Sequence, residues 1–137
     1  MDGVQVLEPF SYSDEKGSTF KIRYSGDIKK PLDISEAYFS EVKKGIIKGW
    51  KMHSKMQMSL TAAAGSIRLV LFNDDNKEYK DLILNLSNHK VVIVNPGIWV
   101  AFKGLEDKNI LLNLSDILHD PKESVSRELK EIEFNWS

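Results

Sequence analysis

The 137-residue chain contains no cysteine. That absence removes disulfide scaffolding, Cys-ligated zinc and thiol catalysis together. It also suits a reducing compartment, and a cytoplasmic location is the expectation. An excess of charge of either sign is missing as well: 19 Lys and Arg stand against 20 Asp and Glu, for a formal net charge of -1. Binding along a nucleic-acid backbone normally needs a basic excess, so nucleic acid is not an expected partner. No apolar run approaches the roughly 20 residues that span a bilayer, and the start, Met1-Asp2-Gly3-Val4-Gln5, lacks a basic stretch followed by an apolar one. A soluble, unexported chain with no membrane partner is expected. The glycine-rich phosphate loops and the G-x-S-x-G nucleophile elbow are absent too, which leaves nucleotide hydrolysis and a serine triad unsupported. No repeat, low-complexity segment or Pro/Gly/Ser linker divides the chain. Residues 1–137 therefore read as a single domain, long enough to bury a core without metal or disulfides.

What is present is a series of short apolar runs punctuated by turn residues. Phe20-Lys21-Ile22-Arg23-Tyr24 alternates with period two before the turn signal Ser25-Gly26-Asp27. Ser35 to Val42, Gly45 to Trp50, Ser66 to Phe72, Tyr79 to Leu86, His89 to Val94, Ile98 to Phe102 and Asn109 to Leu114 follow as strand candidates. Asn73-Asp74-Asp75-Asn76 and Asn95-Pro96-Gly97 are turns between them, the second because Pro fixes φ and Gly permits positive φ. Strands at such spacing predict a mainly β sandwich or barrel. One short helix is predicted near the C-terminus, over Ser124 to Ile132, where Val125, Leu129 and Ile132 recur at helical spacing after the breaker Asp120-Pro121.

The segment from Lys48 to Gln57 carries most of the chemistry. On a strand, Gly49, Lys51, His53, Lys55 and Gln57 share one face, with Trp50, Met52 and Met56 opposite. That polar face is either the wall of a cationic pocket or a solvent-exposed edge kept soluble by its charges. The histidines are His53, His89 and His119, and none forms a helical i, i+4 metal pair. His53 has no other histidine or carboxylate close in sequence, the nearest acids being Glu41 and Asp74, so no metal site is expected. Arg68 is either an inward pocket cation or an outward polar residue of its strand. Trp99 reads as packing more readily than as a stacking platform.

The order of motifs resembles one family. Glu36-Ala37-Tyr38-Phe39-Ser40-Glu41-Val42 followed by Gly45-Ile46-Ile47-Lys48-Gly49-Trp50 is similar to the segment leading into the active-site strand of the dTDP-4-dehydrorhamnose 3,5-epimerases, where Gly-[Leu/Trp] precedes a histidine. Asn95-Pro96-Gly97-Ile98-Trp99-Val100-Ala101-Phe102 resembles that family's Pro-x-Gly-x-x-His-Gly-Phe stretch. Asn113-Leu114-Ser115-Asp116 with Asp120-Pro121, and the closing Ile132-Glu133-Phe134-Asn135-Trp136, resemble its tail. Upstream, Asp14-Glu15-Lys16-Gly17 with Phe20 is faintly similar to its Asp-x-Arg-Gly-x-Phe stretch. The related dTDP-sugar 3,4-ketoisomerases carry Arg-Gly-x-His-x-His, and His53 matches the second of those histidines.

The resemblance implies a cupin-type jelly-roll β-barrel, a homodimer, and a dTDP-linked 4-keto-6-deoxy sugar in the barrel mouth. It implies proton transfer beside the ketone without metal or organic cofactor, because the ketone acidifies its neighbouring C–H bonds. It also exposes departures. Lys51 stands where the epimerases have their base, Val100 and Ala101 replace their His-Gly, and Ser115-Asp116-Ile117-Leu118 replaces the stretch bearing their tyrosine acid. Lys51 and His53 are therefore the expected catalytic pair, and Lys16, Lys48, Gln57 and Arg68 the expected substrate contacts. A nucleotide-sugar epimerase or isomerase of deoxysugar or surface-polysaccharide biosynthesis is the leading expectation. A binding or scaffold cupin that has lost the base and acid is the alternative, and a metal-dependent cupin oxidase ranks behind both.

Overall fold

Short runs of β-branched and leucine residues that alternate with polar ones can hide one face of a strand and must pair their backbones sideways. The chain does this in two sheets. The computed structural model describes residues 1–22 and 34–137, so the turn at Ser25-Gly26-Asp27 and the end of the strand expected through Tyr24 lie outside the described residues.

The first sheet holds β1 (Val4–Leu7), β4 (Glu36–Glu41), β6 (Met58–Ala64), β9 (Val91–Val94) and β11 (Ile110–Ser115), in the order β1-β9-β6-β11-β4. The second holds β5 (Ile47–His53), β7 (Ser66–Asn73), β8 (Glu78–Asn85), β10 (Trp99–Gly104) and β12 (Ser124–Ser126), in the order β12-β5-β10-β7-β8. A separate hairpin joins β2 (Ser11–Asp14) to β3 (Gly17–Phe20). Every strand pairing among the described residues is antiparallel, as in a jelly roll.

The two sheets close on one apolar core. Met58, Leu60, Val92, Val94 and Leu111 of the first meet Ile67, Leu69, Leu71, Leu84 and Val100 of the second. Because alternate residues face opposite ways, Val70 and Phe72 of β7 emerge on the back of the second sheet. There they join Trp50, Trp99, Ala101 and Ile132 in a second cluster, covered by Phe134 and Trp136 of the C-terminal segment.

Three departures from the sequence reading have physical causes. Ser124 to Ile132 is not a helix. Ser124–Ser126 pairs with β5 through Ser124 opposite His53, Val125 opposite Met52 and Ser126 opposite Lys51. Reciprocal bonds between Trp50 and Arg127 continue the ladder, and only a single 3-10 turn, Leu129–Glu131, follows. The apparent helical stripe was not a core face, since Val125 is 49% and Leu129 37% exposed. Secondly, the alternation of β5 holds only from Gly49 to His53 and then stops: Met56 turns into the main core rather than lying with Trp50 and Met52. Thirdly, β6, the central strand of the first sheet, was not among the expected strands; it is buried on both faces for most of its length, Met58, Leu60 and Ala62 on one and the polar Ser59 and Thr61 on the other.

Two glycines and one asparagine tie the sheets together at one end. Asn109 is fully buried; its Oδ1 accepts from the amides of Ser66 (3.0 Å) and Glu106 (3.1 Å), and its Nδ2 donates to the carbonyls of Val42 (3.0 Å) and Glu106 (2.7 Å). A Cβ at Gly65 would lie 2.4 Å from Asn109 Oδ1, and one at Gly104 2.7 Å from its Nδ2. Asn109→Ala removes all four bonds and strands buried backbone groups, which should destabilise the fold by about 3 kcal/mol. Equilibrium urea denaturation with an unchanged slope and a lowered midpoint is the expected result.

Candidate active site

The inner faces of β4 and β11 on one side and β5 and β10 on the other leave a cavity of about 290 Å³ between the sheets. Its floor is apolar, with Met58, Leu60, Val100, Phe102 and Leu111. Its polar lining is Tyr38, Ser40 and Asn113 from the first sheet and Lys48, Lys51 and His53 from the second. A second lobe of about 250 Å³ opens beside it, lined by Glu36, Met56, Ser115 and His119. Tyr38, Lys51 and His53 line both lobes and form the waist between them.

Strict alternation would put Lys48 on the face opposite Gly49, Lys51 and His53. It lines the same cavity because β5 is irregular there: the pairing with β10 shifts register between Val100 and Phe102. Gly49 sits at that irregularity with φ +146, and a Cβ on it would lie 2.4 Å from the Ala101 Cβ. A bulge of this kind re-aims side chains. The Lys48 ammonium donates to the Glu41 carbonyl at the end of β4, which ties it to the opposite sheet. Lys51 is exposed to the cavity mouth and has no ion-pair partner among the described residues.

His53 is buried, and the group that orders it comes from 70 residues further along. Its Nδ1 lies 2.5 Å from Glu123 Oε1. A carboxylate only accepts, so Nδ1 carries the hydrogen and Nε2 is left as the free ring nitrogen. Glu123 Oε2 in turn accepts from the amides of Lys55 (2.9 Å) and Met56 (2.8 Å), and the Glu123 carbonyl accepts from the Ser54 hydroxyl (2.7 Å) and amide (2.9 Å). Burial alone would push the Glu123 carboxyl up. The hydrogen bond from His53 and the two backbone amides outweigh it and hold the group below the ordinary glutamate value.

Tyr38 faces this wall from β4. Burial, with the nearby Glu36 carboxylate adding to it, raises its phenol above the ordinary value of 10. It therefore stays protonated at neutral pH and is able to donate. Glu36 Oε2 also accepts from the His119 amide at 3.1 Å, fixing the loop that closes the second lobe.

Of the residues expected to form the site, the structure brings Lys48, Lys51 and His53 together and leaves three apart. Arg68 is on the back of β7, because Ile67, Leu69 and Leu71 occupy the inner face. It makes a two-point bond to Asp81 (3.0 and 2.8 Å), and its guanidinium lies 5.0 Å from the Phe134 ring centre. Gln57 lies past the end of β5 and donates to Asn95 Oδ1 at 2.9 Å. Lys16 sits in the tight turn between β2 and β3, its amide held by Asp14 Oδ1 at 2.8 Å. Neither residue lines the cavity or its second lobe. Trp99 belongs to the back cluster, with the Arg127 guanidinium 4.3 Å from its ring centre. The sequence reading passed over Glu123, Tyr38, Ser40 and Asn113 as site residues. Tyr38 and Ser40 were legible as alternate residues of one strand; Glu123 carried no local signal. No group of three or more His, Asp or Glu side chains converges as metal ligands would among the described residues, and no helix among them is long and apolar enough to cross a membrane.

The family model for FdtA, described as WxcM-like, C-terminal, matches residues 2–132. The chain belongs to the FdtA family. Among solved structures, the FdtA-family fold seen here is similar to a dTDP sugar isomerase from Desulfovibrio desulfuricans, with 26% identity over 98% of this chain and 91% of that one and a TM-score of 0.88. It is similar to the 3,4-ketoisomerase QdtA from Thermoanaerobacterium thermosaccharolyticum, solved as a histidine-to-asparagine variant with TDP-4-keto-6-deoxyglucose. There the identity is 25% over 91% of this chain and 88% of that one, and the TM-score 0.79. The 3,5-epimerase RmlC from Legionella pneumophila, in complex with dTDP-4-keto-L-rhamnose, shares the fold at 17% identity, covering 99% of this chain and 79% of that one with a TM-score of 0.86. No curated protein sequence matches the chain.

The depressed Glu123 value has a signed consequence. Folding lowers this pKa, so the unfolded chain takes up the proton first as pH falls. The stabilisation is fully present above the unfolded value, about 4.3, and is lost as pH drops through the lower folded value. Urea midpoints measured from pH 6 to pH 3 should therefore fall more steeply in the wild type than in Glu123→Gln.

Proposed function

We propose that this FdtA-family chain is a nucleotide-sugar isomerase that moves a proton beside the ketone of a dTDP-linked 4-keto-6-deoxy sugar, in deoxysugar biosynthesis. The observation that carries the reading is the His53–Glu123 pair in the wall of a cavity of sugar size. Glu123 holds Nδ1, so Nε2 is available to take a proton from the carbon next to the ketone, and the carboxylate stabilises the imidazolium that results. Lys51, exposed at the waist, supplies positive charge for the oxygen of the enolate that forms, a role that suits an exposed lysine better than that of base. The protonated Tyr38 phenol stands on the opposite sheet and returns a proton to the other side of the ring. Return to the same carbon inverts it. Return to the former carbonyl carbon, with loss of the neighbouring hydroxyl proton, shifts the ketone instead. The apolar floor suits the methyl group of a 6-deoxy sugar.

The rival reading is a cupin that binds the nucleotide-sugar without turning it over. It draws on Lys51, Val100 and Ala101, which stand where the epimerases have two histidines and a glycine. Incubation of TDP-4-keto-6-deoxyglucose in D₂O, followed by proton NMR, separates the two. Deuterium should enter beside the ketone in the wild type. His53→Gln should slow this roughly 10²- to 10⁴-fold, and Lys51→Ala roughly 10²-fold. Binding without exchange establishes the scaffold reading, and exchange that survives both substitutions refutes the residue assignment.

The homodimer belongs to the same proposal. Phe39 on the edge strand β4 is 69% exposed, with Leu112 as its cross-strand partner, an apolar surface that a second copy would cover. Sedimentation should give the mass of two chains, and Phe39→Lys that of one.

A further inference from the structure

Asn113 is 6% exposed on the inner face of β11, in a cavity wall where an aliphatic side chain would fold at lower cost. Its Nδ2 donates to the Leu111 carbonyl at 3.2 Å and to Ser40 Oγ at 3.2 Å. The Leu111 carbonyl cannot donate, which settles the orientation of the amide. Both amide hydrogens are thus committed within the protein, and Oδ1 is the group that Asn113 has left for the cavity, with no partner among the described residues. Ser40, diagonal to Asn113 across the β4–β11 ladder and opposite Leu111, accepts from Asn113 and keeps its own hydroxyl hydrogen free. One free acceptor and one free donor therefore stand side by side on the first sheet, across the cavity from Lys51 and His53.

We infer that Asn113 and Ser40 are specificity-determining residues that read a hydroxyl group on the sugar ring. Asn113 Oδ1 accepts the hydrogen of that hydroxyl while the Ser40 hydroxyl donates to its oxygen. A secondary alcohol offers both functions, whereas a deoxy position offers neither and would leave two buried polar groups unpaired. Opposed to the wall that carries Lys51 and His53, the pair would fix which carbon is presented to His53. The inference rests on the nucleotide-sugar reading above and adds a requirement that this reading does not make.

Isothermal titration calorimetry with TDP-6-deoxyglucose and its 2-deoxy and 3-deoxy counterparts tests it without depending on turnover. The wild type should lose roughly 10- to 100-fold in affinity when one of the two hydroxyls is removed. In Asn113→Ala the fully hydroxylated ligand should bind as weakly as that deoxy ligand, whose own affinity should stay within about threefold. Ser40→Ala, on the edge strand and less demanding of the fold, should remove part of the same difference. Equal losses for all three ligands in both variants would show a purely structural role and overturn the inference, as would undiminished discrimination. A wild type that binds none of the three overturns both this inference and the nucleotide-sugar reading. Binding with discrimination but without exchange in D₂O overturns proton transfer alone.

Discussion

The Glu123 carboxylate holds together what the cavity needs. It grips a catalytic candidate with one oxygen and two consecutive backbone amides with the other, while its own carbonyl receives Ser54. The chain between His53 and Met58 must leave one sheet and enter the other, and a buried carboxylate with both oxygens hydrogen-bonded fixes that crossing. A buried anion is costly unless paired and hydrogen-bonded. Here the same bonds that meet that cost also set the tautomer of His53. Local folding and the orientation of the His53 ring are therefore one problem with one solution.

How far this was legible from the residues divides along sequence distance. Short apolar runs bounded by turn residues, such as Ser66 to Phe72, announced their strands, and the face holding Gly49, Lys51 and His53 followed from parity alone. Parity failed to place Arg68, because Val70 and Phe72 are as apolar as Leu69 and Leu71: a strand buried on both faces does not say which is inside. It failed for Lys48 because the irregularity at Gly49 depends on how closely Ala101 approaches from β10. The helix expected after Pro121 gave way to pairing, since an edge of β5 stood open and Val125 is β-branched. Glu123, one of 20 acidic residues, could not be singled out until folding placed it against His53.

On the proposed reading, an altered family member retains a workable arrangement. With lysine where the epimerases carry a base, the role of base would fall to His53, two residues along the strand and on the same face. With no tyrosine at the expected late position, the Tyr38 phenol on β4 would take the part of the acid. The pieces come from different elements, yet they stand on opposing rigid sheets, which is what a reaction at two faces of a ring demands.

The back of the second sheet carries a consequence of its own. Trp50 lies between the cavity-lining residues Gly49 and Lys51 and packs against Trp136, 6.0 Å between ring centres. The tail is pinned by Tyr79 bonding the Glu133 carbonyl and Lys103 the Trp136 carbonyl. The strand β5 is thus a thin partition with the cavity on one side and the chain's last residues on the other. If the cavity turns its ligand over as proposed, a screen of random variants for lost turnover would return positions in that tail beside those of the cavity, although no tail residue lines it.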